Sequence, residues 1–421
     1  MHKSFILEKT KSFVRKGFDI YAVIFLTFLA GFFYAVYQNI SDPDSLYHIR
    51  HASLYRTEGV WGSAFPWVRE SAIRTLGADL WYGFHILLIP FTFGNDLLAG
   101  IRIAGTLLTS FALAAYFWTL KQLRVKIPLF FTLLLFFSVP DLNYRLATMR
   151  PHVLTFGLSM LLFSFTVRGK FHMLFIASAI LSFSHLALAW MPLLITGAVI
   201  VAQLTGKQKI RVAALFYGLA GVLLGAALRP NFINGFKLAS IQIFGVLRAK
   251  LEGIPLRFGA ELAPADWSIV KYEFIPVLVF AIPAFFFLIT LMRKNEWRAL
   301  TPEIRLTATA SFILSLAFGL MTAFIAVRSI DFWVGYTLIF SGLMWSVFLE
   351  VRQNIFRRLK LPILGVIGVA CILIAANTLR FATRYRAHAL PPDYLREAAL
   401  WLSAHTRPGD VIFNIHWDNF A

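Results

Sequence analysis

Charge is scarce in this sequence, and negative charge scarcest. Of 421 residues only 14% are Asp, Glu, Lys or Arg, about half of the roughly 25% usual for a soluble domain. Carboxylates number 21 against 40 Lys and Arg. There is a single cysteine, Cys371, so no disulfide forms within the chain and cysteine usage leaves the redox compartment open. No Cys/His zinc spacing, phosphate-binding glycine loop or nucleophile elbow is present. These absences exclude a disulfide scaffold, a zinc finger, a P-loop nucleotide site and a serine hydrolase of the elbow type.

What the sequence has is apolar length. Hydrophobic residues make up 58% of the chain, with 43 Phe, and the mean hydropathy is +0.70. Many runs reach the ~18 residues needed to cross a bilayer. The expectation is an all-α polytopic membrane protein. The formal charge of +19 then needs no nucleic-acid partner, because Lys and Arg collect in the cytoplasmic loops of membrane proteins. Lys3, Lys9, Lys11, Arg15 and Lys16 place the N-terminus in the cytoplasm by the same rule. No signal-peptide cleavage pattern follows, so the first apolar run reads as a retained anchor.

Run length and basic loops predict about eleven spans, near 20–40, 97–120, 127–140, 151–167, 171–185, 187–204, 211–228, 274–292, 305–327, 332–349 and 361–379. Residues 41–79 read as a long polar outer loop. The 80–93 run is too short to span and is expected to lie along the outer interface, with Trp81, Tyr82 and His85 at that depth. A second long outer loop covers 229–272. Gly221 and Gly225 are spaced for close helix packing.

Polar side chains gather in four of the outer segments. Ser41-Asp-Pro-Asp-Ser-Leu-Tyr-His-Ile-Arg50 holds Asp42, Asp44, His48 and Arg50. The turn before residue 151 holds Asp141, Asn143, Arg145 and Arg150. The long loop holds Glu261, and a tight turn holds Arg328 and Asp331. Ionisable groups at the edge of a membrane helix are costly and mark function. Carboxylates from separate loops can converge on Mg²⁺ or Mn²⁺, which take oxygen ligands. Such an ion neutralises a phosphate leaving group, an arginine clamps the same group, and a carboxylate deprotonates an acceptor. Plainer readings compete. Asp42 before Pro43 fits the start of a turn. Arg328 fits a snorkelling interfacial residue. His85, His152 and His185 read as packing histidines rather than ligands.

Asp44-Ser-Leu-Tyr-His-Ile-Arg50 resembles the first-loop motif of the catalytic subunit of oligosaccharyltransferase, whose archaeal forms carry Asp and then aromatic-His-x-Arg. Glu261-Leu-Ala-Pro-Ala-Asp-Trp267 resembles the long-loop motif of that family. Asp141 with Asn143 sits where its second acidic motif lies, and Arg328 resembles its diphosphate-contacting arginine. The stretch from Trp401 to Phe420, with His416-Trp417-Asp418-Asn419-Phe420, resembles the approach to its sequon-reading Trp-Trp-Asp-Tyr-Gly motif. The resemblance implies a GT-C fold with a long first outer loop. Residues 1–379 would be the transmembrane catalytic domain, and 380–421 the start of an incomplete extracytoplasmic one. It implies Asp44 and Glu261 as catalytic, and Asp44, Asp141 and Glu261 as ligands of Mn²⁺ or Mg²⁺. It implies Arg328 on the donor phosphate, Trp417, Asp418 and His48 on the acceptor, and Asp42, Arg50 and Arg150 in support.

His416 replaces the first Trp of the sequon motif, and Asn419-Phe420 replace its Tyr-Gly. Glycosyl transfer is therefore expected from a polyprenyl phosphate or diphosphate donor, to a protein acceptor or to a lipid or envelope polysaccharide. The expected setting is the outer side of a bacterial inner membrane, with the C-terminus outside. The rival classes are a membrane transporter and an inactive paralogue. Against a transporter, no matched pair of broken helices appears in two halves.

Overall fold

The computed structural model describes residues 2–37, 42–61, 71–94, 96–254, 260–266, 274–388, 396–407 and 410, and every described element is helical. Phe18–Val36, Leu97–Gln122, Leu186–Thr205, Ile275–Arg293, Pro302–Phe324 and Val327–Val351 are long and apolar enough to cross a membrane. Two bent pairs raise that count from 6 to 8. This is an integral multi-pass membrane protein. The expected eleven spans are not all met by length and composition. Pro151–Val167, Phe171–Ser184 and Ile367–Thr383 are shorter apolar helices.

Local chemistry sets the ends of the elements. Asp96 accepts from Leu98 N at 2.8 Å, capping Leu97–Gln122. Thr301 does the same for Pro302–Phe324. Pro140 breaks the third run, turning Pro128–Ser138 by 101° into Pro140–Leu146, because proline cannot continue the helix ladder. Pro230 and Asn231, whose φ is +51°, turn Ala213–Ala227 by 112° into Phe232–Leu251.

Two expected loops are helices. Residues 43–58 of the first outer loop form Pro43–Glu58, and Ala72–Leu76 adds a short turn. Most of the described part of 229–272 is the helical run Phe232–Leu251. Pro43–Glu58 is too polar to read as a span, and Phe232–Leu251 is broken from the preceding apolar run at Pro230 and Asn231. The 80–93 run is the helix Tyr82–Leu88 followed by the 3-10 turn Ile89–Thr92. Seven residues of the run, among them Tyr82, Phe84, His85 and Leu88, are buried in protein, so it is packed rather than laid on a lipid surface.

Ion pairs Lys121–Asp19, Arg124–Glu303, Lys126–Glu350 and Arg352–Glu296 collect one set of helix ends at a Lys- and Arg-rich end of the bundle. The opposite ends of the same helices carry Tyr37, Leu97, Phe324 and Ile330. The centre of the bundle is Val327–Val351. Of its most apolar window 83% is buried, against 22% for Ile275–Arg293 and 28% for Phe18–Val36, which therefore present apolar faces such as Phe28 and Phe286 to lipid. On the central helix Tyr336 stacks with Phe318 at 5.7 Å and meets Phe163 edge-on at 5.5 Å. That packing holds the N-terminus of the helix, with Arg328 and Asp331, fixed at the end opposite the basic one.

Candidate functional site

At that end the helix Pro43–Glu58 places Asp44, His48, His51 and Tyr55 in one stripe, spaced by three or four residues. Asp44 and His48 line a cavity of ≈ 380 Å³. Arg145, Arg150, Glu261, Arg328 and Asp331 complete its polar wall. Trp81, Trp190, Phe318 and Phe332 give it an aromatic one. Seven separate stretches of sequence meet there.

Arg150 organises the mouth. Its Nε donates to both oxygens of Asp42 at 3.0 and 2.9 Å. Its Nη1 lies 3.2 Å from Asp44 and 3.6 Å from Glu261. Asp42 is 3% exposed and also accepts from Ser45 Oγ at 2.6 Å. It is therefore structural: it fixes Arg150 and the start of the helix. Asp44 differs from it, with a side chain 47% exposed. Partial burial pushes the Asp44 carboxyl above its ordinary range, and Asp42 and Glu261 add to this against Arg150 and Arg328.

Glu261 faces three guanidinium groups, Arg145 at 3.2 Å, Arg150 at 3.6 Å and Arg328 at 3.7 Å. Burial raises its carboxyl, but the three arginines outweigh that and hold it below the usual range. Backbone bonds Val327 N to Ala263 O at 2.7 Å and Ala265 N to Thr322 O at 3.0 Å clamp the Glu261 segment onto the central helices. Lys250, which donates to Leu262 O, holds it from the other side. Behind it Arg145 donates Nε and Nη2 to Asp331 at 2.9 and 3.0 Å, a buried bidentate pair. Of the three arginines, Arg328 has the longest carboxylate contact. The wall can thus accept an anion between guanidinium groups while Asp44 stays open to a proton.

The structure brings Asp44, His48, Arg150, Glu261 and Arg328 together. Asp141 does not line the cavity, and among the described residues it makes no ion pair. Arg50 is exposed, off the stripe and away from the cavity. Trp417 and Asp418 lie outside the described residues. His152 and His185 are buried and hydrogen-bonded within the protein, and both also line the cavity. They meet Arg145 O at 3.1 Å and Thr155 Oγ1 at 2.8 Å.

His85 departs from the expectation of a packing histidine. Its Nδ1 lies 2.7 Å from Asp79 Oδ2 and its Nε2 2.8 Å from His48 Nδ1. Sequence reasoning passed over Asp79 and His51 altogether. The signal available was Asp79 next to an aromatic run containing His85, and His51 three residues after His48.

A hard divalent cation needs several oxygens converging at close to octahedral angles. Among the described residues Asp44, Asp141 and Glu261 do not form such a group, whereas His51, Asp79 and His85 bring ligand atoms within 4.8 Å of one another. Glu261 already faces guanidinium groups, which would repel the ion. The expected carboxylate trio does not fit Mn²⁺ or Mg²⁺ in this arrangement. No protein-family model and no curated protein matches the chain.

Proposed function

We propose that the chain is a membrane glycosyltransferase of the GT-C type. It moves a sugar or oligosaccharide from a polyprenyl phosphate or diphosphate to an acceptor, on the extracytoplasmic side of a bacterial inner membrane. The observation that carries this reading is a half-exposed carboxylate, Asp44, sharing one cavity with an arginine-lined anion wall. A base and a cradle for a phosphate leaving group are the two parts that direct displacement at a sugar carbon needs.

In the proposed step an acceptor O–H or N–H meets the anomeric carbon of the donor. The new bond forms there as the bond from that carbon to the phosphate oxygen breaks. Asp44 takes the acceptor proton. A carboxyl held above its ordinary range is a better base for this than a free one. The electron pair leaves on the polyprenyl phosphate or diphosphate, whose new charge Arg328 receives. Glu261 keeps Arg145, Arg150 and Arg328 close together despite their mutual repulsion. No step runs through a metal, because the arginines already carry the cationic role. The basic end of the bundle supports an orientation with the N-terminus and basic loops in the cytoplasm and the cavity outside.

The test is transfer of a radiolabelled sugar from a polyprenyl-linked donor by the purified protein, with and without Mn²⁺ or Mg²⁺. A sequon peptide, a lipid acceptor and water are offered separately. Transfer or release that Asp44→Asn lowers by about 10²–10⁴-fold, at unchanged protein level in the membrane, supports the reading. An Asp44→Asn variant with full turnover overturns it. Strict dependence on the cation would overturn the metal-free wall. A peptide or lipid product identifies the acceptor class.

A further inference from the structure

Beneath Asp44 the stripe of Pro43–Glu58 enters a second polar network that the transfer step leaves unused. Asp79 is its base, 5% exposed. Its Oδ1 accepts from Trp81 N at 2.8 Å. Its Oδ2 accepts from Tyr55 OH at 2.8 Å and meets His85 Nδ1 at 2.7 Å. His85 Nε2 meets His48 Nδ1 at 2.8 Å. His48 is 3% exposed and lines the cavity. Among the described residues its Nε2 has no hydrogen-bond partner. A polar atom of a cavity-lining side chain without a protein partner marks a place for a ligand group.

Counting protons along this line fixes the character of that atom. A carboxylate only accepts, so His85 Nδ1 carries hydrogen. A neutral His85 then has a lone pair on Nε2, and His48 Nδ1 must donate to it. His48 is left with its lone pair on Nε2, toward the cavity. A cationic His85 would reverse this and make His48 Nε2 a donor. The Arg229 guanidinium, which donates to the backbone carbonyl of Asp79, adds positive charge near the carboxylate without a second cation. Burial pushes His48 well below its ordinary range, with the neighbouring histidine acting in the same sense, consistent with a neutral ring.

We propose that His48 Nε2 is the hydrogen-bond acceptor for a sugar hydroxyl in the cavity, and that Asp79, acting through His85, is the positioning residue that keeps it an acceptor. The hydroxyl class rests on the transferase reading and on the flanking Trp81 and Trp190, flat apolar partners for a sugar ring. The proton arrangement does not rest on it. A cation held by His51, Asp79 and His85 is the competing use of the same atoms. The 2.7 Å between Asp79 Oδ2 and His85 Nδ1 is the length of a charge-assisted hydrogen bond. Two ligands about 2.0–2.1 Å from one zinc ion stand roughly 3.3 Å apart in a tetrahedron.

The test is nitrogen NMR of the full chain, labelled with ¹⁵N-histidine, in lipid nanodiscs. His48 is assigned by its loss in His48→Gln. The expected spectrum has His48 and His85 neutral with hydrogen on Nδ1. Asp79→Asn should switch both to hydrogen on Nε2, because Trp81 N–H keeps the Asn oxygen on its side and turns the amide nitrogen toward His85. If Asp79→Asn does not accumulate, His85→Leu serves, and His48 should then lose its preference for Nδ1. A wild-type His48 with hydrogen on Nε2, or one indifferent to both changes, overturns the positioning role. Displacement of the His51 and His85 signals by one equivalent of Zn²⁺ overturns it in favour of a cation site.

Octyl glucoside, octyl galactoside and octyl mannoside are then titrated against a zwitterionic detergent of the same chain length. A shift of His48 Nε2 with at least one glycoside and not with the control supports the sugar subsite. Equal or absent shifts overturn it. In the transfer assay His48→Leu should lower kcat/KM about tenfold, the worth of one hydrogen bond. His48→Gln, which restores an acceptor, should recover most of that. Absence of transfer by the wild type, with the NMR result as expected, would count against the transferase reading and leave the proton arrangement standing.

Discussion

At the scale of single residues, neighbouring carboxylates have opposite fates. Asp42 and Asp44 are two positions apart, yet one is buried on Arg150 and the other opens to the cavity. Because the Asp44 carboxyl is raised, the acid limb of kcat/KM should lie at higher pH than for an ordinary carboxylate. A pH–rate profile of the transfer reaction checks this. Activity should fall as pH drops through the raised value, since the base must be deprotonated.

His51 makes a separate prediction about stability. Burial, with His85 beside it, lowers its pKa from 6.5 to about 3. Between those values the unfolded chain binds a proton that the folded chain refuses, so stability is present above pH 6.5 and is lost as pH falls toward 3. The Tm in detergent should decline from pH 6.5 to 5, and decline less steeply in His51→Gln.

At the scale of elements, close approach and buried charge decide which helices stay together. A Cβ on Gly225 would stand 2.1 Å from Ala179 O, and one on Gly221 2.3 Å from Phe175 O. Ala213–Ala227 and Phe171–Ser184 are in backbone contact there, as the glycine spacing predicted. Gly225→Leu should force them apart and destabilise by about 1–3 kcal/mol, read as a lower Tm. The Tyr82–Leu88 helix depends on the same partner, because a Cβ on Gly83 would collide with Phe183. The Arg145–Asp331 pair joins Pro140–Leu146 to the central helix. Arg145→Met leaves Asp331 buried and unpaired, at a cost of roughly 3–5 kcal/mol. Arg145→Met with Asp331→Leu should recover much of it. Thermal unfolding of the three variants compares them directly.

At the scale of the whole molecule, the polar groups divide between two ends of an apolar bundle. If the basic end is cytoplasmic, a cysteine at Trp61 should react with a membrane-impermeant maleimide in intact cells, and one at Lys207 only after lysis. Cys371→Ser is the background for both. The sequence alone determined that this is a helical, multi-pass membrane protein, because apolar run length and scarce charge are local properties that no tertiary contact alters. It also brought forward Asp44, His48, Arg150, Glu261 and Arg328, since ionisable side chains at helix ends of so apolar a chain are conspicuous one by one. It missed the helices Pro43–Glu58, whose polar composition reads as loop, and Phe232–Leu251, which the turn at Pro230 and Asn231 separates from the preceding span. It missed Asp79 and His51 for a related reason: each is unremarkable in its own segment. Only the fold decided that Asp42 is buried on Arg150 while Asp44 stays half-exposed at the cavity, that Asp141 stays off the cavity wall, and that Glu261 faces arginines rather than fellow carboxylates. Those outcomes depend on distances between stretches as much as 186 residues apart, as Arg145 is from Asp331, and no local pattern encodes them.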